Sequence, residues 1–355
     1  MSVDKDHILI AADRLQDFAA AVLEAGGFTR EEASFAAKSL IQSNLMGYDS
    51  HGIIRIVEYL ECLKKGELVS GAVLSIRNDT ANTCTADGQG GLGQVQMPRF
   101  LDLLLAKTKQ SGVVSGALRN CGHIGRLGEW VEYIASKGLA GLVMVNDNGV
   151  LHCVAPPGGK EGRTSTNPVA FGIPLSDGEA FTIDISTSAT ALGKVRLAYL
   201  SGEECPPHVI QDAEGNPSTD PAVLFEEPKG ALLSMADYKG FGLSMMVDCL
   251  VAGLSGGFTP PAPEGTLLLN NIFVNIWNPE KFSGLTHMQE QAAKYMAFVR
   301  QTRPTDPAKP IRIAGDHSKA EQSKRLKMGI PLSSGSYKAL SEAANKFGVA
   351  LPEEF

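Results

Sequence analysis

The segment GYDSHGIIR, residues 47–55, places a histidine and an arginine four positions apart. On a helix such residues share a face, so we expect His51 and Arg55 to point the same way. Arginine binds carboxylates through paired hydrogen bonds, and histidine exchanges protons near neutral pH. Asp49 or Ser50 would cap this helix and hold the imidazole. The pair suits a small carboxylate substrate with a group to be deprotonated, but a surface ion-pair network has the same spacing.

A second group lies in RNCGHIGRLGEW, residues 119–130. His123 follows a strand-like run and precedes a predicted helix, at the kind of strand end where α/β sheets bind ligands. The glycines around it let backbone approach a ligand closely, and Arg126 suits a phosphate or a carboxylate. The alternative is a glycine-rich turn with a capping histidine.

Weaker candidates are rich in hydroxyls or begin helices. The segments TSTNP (164–168) and DISTSATALGK (184–194) offer hydroxyls that bind phosphate or ribose, although such loops are usually turns. Lys239 begins an apolar helix, where a cation needs a compensating anion such as a cofactor phosphate or a neighbouring acid. His317 lies in a loop before a polar helix, where a lone histidine is ordinarily exposed. We find no H-E-x-x-H or paired C-x-x-C motif, which argues against a metal site.

The stretch DGQGGLGQ, residues 87–94, fits the G-x-G-x-x-G pattern of a dinucleotide-binding loop. A Rossmann unit also needs an acidic residue about twenty positions further on, at the end of the second strand. Here that strand, GVVSGALRN, ends in Arg119 and Asn120. We therefore favour a strand-to-helix turn over a phosphate loop, while the phosphate loop stays an alternative.

The elements that must position these groups are helical at both ends of the chain and mixed in the middle. Two helices are predicted over residues 8–43, the second opened by a Thr29–Glu32 capping box, and a third from Asp49. Strands are predicted at 72–78, 82–87, 112–120, 140–146, 180–186 and 267–279, with helices at 94–110, 128–138 and 238–257. The pattern predicts an α/β protein with a helical domain from 1–75 plus 287–355 and an α/β domain from 76–286.

Composition restricts the partners and the compartment. The 355 residues carry a net charge of −7 without a block of Lys or Arg, which argues against nucleic acid and membrane surfaces. The N-terminus lacks the features of a signal peptide, and no apolar run reaches the length of a membrane span. Six scattered cysteines do not form a disulfide framework. We expect a cytoplasmic protein with reduced thiols.

Five motifs in order, DSHGIIR, NCGHIGRLG, STNPVAFGIP, DISTSATALGK and YKGFGL, resemble the malate/L-lactate dehydrogenase family, closest to its hydroxycarboxylate dehydrogenase B branch. The resemblance covers nearly the whole chain. It implies a homodimeric oxidoreductase that uses NAD, or alternatively NADP, on a small 2-hydroxy acid. It also implies a non-Rossmann mixed-sheet cofactor domain like that of sulfolactate dehydrogenase, in which residues 88–93 form only a turn.

The resemblance also assigns residues. His51 matches the active-site histidine, Arg55 the arginine that binds the substrate carboxylate, and His123 a histidine with an acid/base role in some members. The implied cofactor contacts are His51, Gly125, Arg126, Leu127, Asp184, Ile185, Ser186, Tyr238, Lys239, Asn270, Gly315, Asp316 and His317. The family pattern changes around His123 (Cys121, Gly122, Ile124), at Ser165 and at Tyr238. These departures leave the substrate and the choice between NAD and NADP open.

The main hypothesis is reversible hydride transfer between NAD(P) and C2 of a small 2-hydroxy or cyclic 2-imino acid. Arg55 would bind the carboxylate, His51 would exchange the proton, and His123 would be a second acid/base or would hold the nicotinamide end. Two rivals remain. One is a metal-dependent hydrolase or lyase built on His51, His123 and His152, and the other is a binding protein without catalytic activity.

Overall fold

The computed structural model describes residues 7–353, except for the side chain of Leu200. The N-terminal part consists of β1 (His7–Ile10), α1 (Ala12–Ala25), α2 (Arg30–Leu45) and α3 (Arg55–Lys65). The middle consists of β2 (Ser75–Asp79), β3 (Thr83–Asp87), α4 (Gly93–Ser111), β4 (Val113–Cys121), α5 (Leu127–Ala135), β5 (Ala140–Asn146), β6 (Val169–Pro174), β7 (Ala180–Ile185), α6 (Leu192–Ser201), β8 (Ile210–Gln211), β9 (Pro217–Ser218), β10 (Ala231–Leu232), α7 (Tyr238–Ser255) and β11 (Asn270–Trp277). The C-terminal part consists of α8 (Leu285–Arg300), α9 (Asp316–Met328), β12 (Ile330–Ser333) and α10 (Ser334–Phe347).

A seven-stranded mixed sheet forms the centre of the α/β part, in the order β2-β3-β4-β11-β5-β6-β7. Only β3 and β4 are parallel neighbours, and α4 makes the crossover that a parallel pair requires. The other neighbouring strands pair antiparallel, with β11 returning from late in the chain to lie between β4 and β5. The prediction of a non-Rossmann mixed sheet is confirmed.

Helices cover both faces of this sheet, which explains why the central strand β5 is apolar up to its last residue. Alternate residues of β5 point to opposite faces, so Val143 packs under α4 and α5 while Met144 packs under α7. The contact between α4 and β4 is close enough to require Gly116. A Cβ at Gly116 would lie 2.5 Å from Leu104 Cδ1.

The two ends of the chain are joined by an antiparallel pair, in which His7 of β1 lies opposite Ser333 of β12. The prediction of a helix from residue 8 is therefore wrong for residues 8–10, and helix α1 begins at Ala12. The apolar run there is too short for its period to separate a strand from a helix, and the fully buried Ile10 gains its partner from the other end of the chain. The domain boundaries at 75/76 and 286/287 stay a prediction.

The capping box that opens α2 is confirmed. The Thr29 hydroxyl accepts a hydrogen bond from the Glu32 amide at 3.2 Å, and the Glu32 carboxylate accepts one from the Thr29 amide at 3.0 Å. The region 203–230, interpreted as loops, contributes two of three short strands paired in the order β10-β8-β9. Strands of two residues are too short to show a periodic pattern, so they could not be predicted from the residues alone.

Candidate active site

His51 and Arg55 do not share a continuous helix, so the predicted face is wrong in its geometry. His51 ends a short 3-10 helix, Asp49–His51, and Arg55 is the first residue of α3. The intervening Gly52 is extended, with φ −90° and ψ −156°. The arginine nevertheless folds back onto the histidine turn, because its Nε donates to the Ser50 carbonyl at 2.8 Å. It is therefore this turn, and not one continuous helix, that brings the His51 imidazole and the Arg55 guanidinium together.

Of the two residues considered for holding the imidazole, Ser50 contacts it and Asp49 does not. The Ser50 hydroxyl lies 3.1 Å from His51 Nδ1. Both Asp49 oxygens instead accept hydrogen bonds from Arg325 of α9, at 2.6 and 3.0 Å. Asn44 also donates to Asp49, at 2.7 Å. Asp49 therefore attaches the Asp49–His51 turn to helices α2 and α9.

His123 lies two residues after the end of β4 and stacks on His51. The two ring centroids are 5.5 Å apart and the ring planes differ by 28°. His123 Nδ1 lies 2.8 Å from the hydroxyl oxygen of Tyr59, and this oxygen accepts a hydrogen bond of 2.8 Å from Gln94 Nε2. Tyr59 lies one turn after Arg55 on α3. Tyr59 and Gln94 were not among the predicted site residues, and the spacing of Tyr59 from Arg55 was the available signal.

Both imidazoles are neutral at ordinary pH. Loss of solvation, followed by the nearby Arg55 guanidinium, lowers the pKa of His51 to about 3. The same two causes hold the pKa of His123 well below its usual range, with His51 adding a smaller effect. A positive charge on either ring would be poorly solvated and would face a cation.

The glycines of the G-x-G-x-x-G stretch pack against the His123 strand end. The amides of Gly88 and Gly90 donate to the carbonyls of Arg119 and Asn120, each at 2.8 Å, and so are occupied. A Cβ at Gly93 would lie 2.3 Å from the carbonyl oxygen of His123. The stretch is therefore a turn that allows close backbone approach.

A cleft of about 250 Å³ lies between the end of β7, the start of α5 and the start of α9. It gathers five of the residues expected to contact the cofactor, together with Tyr48 of the histidine turn: Arg126, Asp184, Ile185, Gly315 and His317. The Arg126 guanidinium lies 5.3 Å from the centre of the Tyr48 ring. The cleft therefore begins beside the turn that carries His51.

Polar groups lining the cleft are only partly satisfied by the protein. Glu132 holds Arg126 through hydrogen bonds of 3.0 and 2.5 Å, so this arginine is not free for a phosphate or a carboxylate. Asp184 accepts the Gly128 amide at 2.8 Å, and loss of solvation raises the pKa of Asp184. Within residues 7–353, buried Arg126 Nε and Thr182 Oγ1 have no hydrogen-bond partner. Each of these atoms needs a partner that the protein does not supply, such as a bound water or a polar ligand.

Four other residues expected at the cofactor are engaged nearby in the protein. Gly125 has φ +74°, and a Cβ there would meet Gln94 Nε2 at 3.4 Å. Ser186 donates to the Thr166 carbonyl at 3.0 Å, and Asn270 accepts from the Ile124 amide at 3.1 Å. Leu127 is buried at the first position of α5.

The remaining expected contacts are not among the residues lining the cleft. Asp316 accepts hydrogen bonds from Arg300 and from the Ile313 amide, at 2.8 and 3.0 Å. Tyr238 and Lys239 are exposed at the start of α7. The structure thus gathers part of the expected cofactor set and leaves the α7 pair outside the cleft.

Two kinds of feature are absent from the described residues: a cluster of metal ligands and a membrane-spanning helix. In the described part of the chain, no group of three or more His, Cys, Asp or Glu side chains is arranged to hold a metal ion. His152 Nε2 lies 3.2 Å from the Gly149 carbonyl. No helix among residues 7–353 is long and apolar enough to span a membrane.

The mixed seven-stranded sheet, with helices on both faces, makes this chain an α/β protein with a non-Rossmann sheet. The chain belongs to the malate/L-lactate dehydrogenase family, whose model matches residues 10–341.

Individual relatives agree with this assignment. The chain is 36% identical over 349 residues to hydroxycarboxylate dehydrogenase B of Escherichia coli, covering 97% of this chain and 95% of the relative. It is 33% identical over 259 residues to a Delta(1)-pyrroline-2-carboxylate reductase of Burkholderia ambifaria, covering 73% and 74%. The sulfolactate dehydrogenase structure from Methanocaldococcus jannaschii superposes with a TM-score of 0.83 at 26% identity, covering 96% and 98%.

Proposed function

We propose that the protein is an NAD(P)-dependent oxidoreductase that interconverts a small 2-hydroxy acid and its 2-oxo acid. The observation that carries the proposal is the stacking of His51 on His123 at 5.5 Å, beside Arg55, in a member of a dehydrogenase family. The relative named as a hydroxycarboxylate dehydrogenase supports the substrate class.

Arg55 would bind the substrate carboxylate. Its Nε donates a hydrogen bond to the Ser50 carbonyl, and its Nη1 donates one to the Glu58 carboxylate. Its Nη2 has no hydrogen-bond partner among residues 7–353. His51 would exchange the proton with the C2 oxygen, with Ser50 orienting the ring through Nδ1. The guanidinium beside the imidazole thus fixes the substrate with its C2 oxygen towards His51.

The cleft beside Tyr48 would hold part of the nicotinamide cofactor, which when bound supplies or accepts the hydride. Asp184 suits the hydroxyls of a ribose, and the unpaired Arg126 Nε and Thr182 Oγ1 suit its polar groups. By family resemblance, Gly125, Leu127, Ser186, Tyr238, Lys239, Asn270 and the Gly315–His317 segment complete the site. We propose NAD as the cofactor, with NADP as the alternative outcome.

A second copy of the chain would cover α7. One face of this helix exposes Tyr238, Met245 and Met246, with 68%, 52% and 58% of each residue accessible. These positions follow helical spacing and form an apolar stripe of a kind that marks an interface. A homodimer would pair such stripes about a two-fold axis.

The test is absorbance of NADH and of NADPH with a panel of 2-oxo acids and one cyclic 2-imino acid. We expect oxidation of one cofactor with at least one 2-oxo acid, and a loss of about 10²–10⁴-fold in turnover for His51→Ala with little change in cofactor affinity. Activity with the imino acid alone would favour the function of the Burkholderia relative. No turnover with any substrate and either cofactor would contradict the proposal.

A further inference from the structure

The hydroxyl of Tyr59 lies between two polar groups inside the protein. Its oxygen is 2.8 Å from His123 Nδ1 and 2.8 Å from Gln94 Nε2, and both Tyr59 and Gln94 are almost wholly buried. An amide nitrogen can only donate, so Gln94 donates to the Tyr59 oxygen. The single proton of the Tyr59 hydroxyl is then directed to His123 Nδ1.

This arrangement determines which nitrogen of His123 carries the proton. Nδ1 must be the acceptor of the Tyr59 hydroxyl, so a neutral ring carries its proton on Nε2. No described residue forms a hydrogen bond with Nε2. His123 as a whole residue is half-buried and its ring lies beside that of His51, so we expect this N–H to face a ligand bound there.

We propose that Tyr59 and Gln94 are positioning residues that hold His123 in its Nε2–H tautomer, so that His123 donates a hydrogen bond to the C2 oxygen of the substrate without giving up its proton. The identity of the substrate rests on the proposed function, whereas the tautomer does not. His51 is then the group that exchanges the proton.

The surroundings of the two rings differ in a way that supports this division. If His123 released its Nε2 proton to substrate, Nδ1 would have to take the proton of Tyr59 and leave a buried tyrosinate. Burial raises the pKa of Tyr59, which opposes that transfer. His51 Nδ1 faces the Ser50 hydroxyl, which can donate or accept, so both protonation states of His51 have a partner.

The proton and the hydride then balance in the direction of reduction. A reduced nicotinamide cofactor, when bound, would supply the hydride that C2 gains and would itself become oxidised. The C2 oxygen gains the proton of cationic His51, and His51 becomes neutral. His123 strengthens its hydrogen bond as negative charge develops on the oxygen and keeps its proton throughout. A neutral donor adds no further positive charge beside Arg55 and His51.

The first test is the tautomer itself, read by two-bond nitrogen–proton NMR on protein labelled with ¹⁵N-histidine at pH 7. His123 is assigned among the seven histidines by comparison with His123→Gln. We expect the Nδ1 shift of an unprotonated nitrogen and the Nε2 shift of a protonated one. The reverse pattern would overturn the proposal, because it would mean that Tyr59 accepts from Nδ1.

Two variants and a control test the positioning role. Tyr59→Phe removes the donor and Gln94→Leu removes the group that orients it, so both should shift His123 towards a mixture of tautomers. We expect kcat to fall about tenfold with KM changed less than about twofold, because the lost hydrogen bond forms with the transition state. Tyr133→Phe removes a hydroxyl bonded to Asp102 at 2.6 Å and should change neither readout. Unchanged His123 shifts in Tyr59→Phe would contradict the proposal.

Glutamine variants separate a hydrogen-bond donor from a proton donor. The amide of His123→Gln can still donate, so we expect this variant to keep more than about a tenth of the wild-type kcat. His51→Gln cannot exchange a proton, and we expect a loss of at least about 10²-fold. The opposite order would make His123 the proton-exchanging group. If wild-type protein turned over no substrate, the proposed function would fail while the NMR result would still decide the tautomer.

Discussion

Asp49 and Arg325 are joined by two hydrogen bonds, of 2.6 and 3.0 Å, that tie the turn of His51 to α9. Arg325 also donates to the Asn44 carbonyl at 2.6 Å, so one guanidinium connects α2, the turn and α9. The start of α9 lines the cleft beside Tyr48. The same helix therefore contacts both the proposed catalytic turn and the proposed cofactor cleft.

Removing this guanidinium should loosen the turn. In Arg325→Ala, Asp49 loses both hydrogen bonds from its one charged partner, at a side chain that is 39% exposed, so we expect kcat/KM to fall about tenfold and the protein to lose about 1–2 kcal/mol of stability. Arg325→Lys keeps the charge but not the two parallel bonds and should be intermediate. Steady-state kinetics of both variants measure the change in kcat/KM, and urea unfolding measures the change in stability.

The matched control is Arg14→Ala, which removes a solvent-exposed pair with Glu353 and should change stability by less than about 1 kcal/mol. If Arg325→Ala lost stability but kept the wild-type kcat/KM, the bond would serve only the fold.

The low pKa of His51 predicts different pH profiles for the two directions. Reduction needs the cationic ring, whose population falls tenfold for each pH unit above a pKa of about 3. At saturating reduced cofactor, kcat/KM for the 2-oxo acid should therefore fall about tenfold per unit between about pH 5 and 8. Oxidation needs the neutral ring and should be flat across that range. A profile for oxidation that rises with a pKa near 7 would show that His51 is solvated normally in the working enzyme.

Arg55 should act mainly through substrate binding. Arg55→Lys keeps a positive charge but loses the planar pair of donors, so we expect KM for the 2-oxo acid to rise about tenfold or more while cofactor affinity is unchanged. An uncharged substrate analogue, the 2-oxo amide, should be affected far less. Equal losses for acid and amide would remove the carboxylate-binding role from Arg55.

The sequence was informative where structure is local. The Thr29–Glu32 capping box and the strands from β3 to β5 follow from residues adjacent in the chain. The motifs also indicated that His51 and His123 belong together. Other features of the fold and the site depend on contacts between distant parts of the chain. His7–Ile10 is a strand because β12 pairs with it. Asp49 does not contact His51 because its carboxylate is hydrogen-bonded to Arg325. No pattern along the chain shows such partners.

A charge on the exposed stripe of α7 should prevent self-association. Met246→Asp places a carboxylate within the stripe, where a second copy would leave it buried and unpaired. We expect light scattering to give twice the chain mass for the wild type and the chain mass for the variant. Val73→Asp, at another exposed apolar side chain, should leave the wild-type mass unchanged. A wild-type monomer would contradict the proposed dimer.

A buried carboxyl outside the active site should make stability depend on pH. Asp147 follows β5, accepts the Leu151 amide at 2.9 Å and is largely buried. Loss of solvation, with the nearby charge of Asp248 adding to it, raises the pKa of Asp147 to about 6 from an ordinary value of 3.8. The native protein therefore binds a proton that the unfolded chain releases, and this group's contribution to stability is lost as the pH rises from about 4 to 6.

At about 1.4 kcal/mol per pH unit, the loss amounts to about 3 kcal/mol. Asp147→Asn stays neutral at every pH, so its stability relative to wild type should increase across this window and level off above it. Urea unfolding at pH 4.5, 5.5 and 7, at fixed protein concentration, measures the difference. Asp17→Asn, which replaces an exposed carboxyl on α1, should track the wild type throughout. A constant offset between Asp147→Asn and wild type would show that Asp147 stays ionised in the native protein, held by its hydrogen bonds.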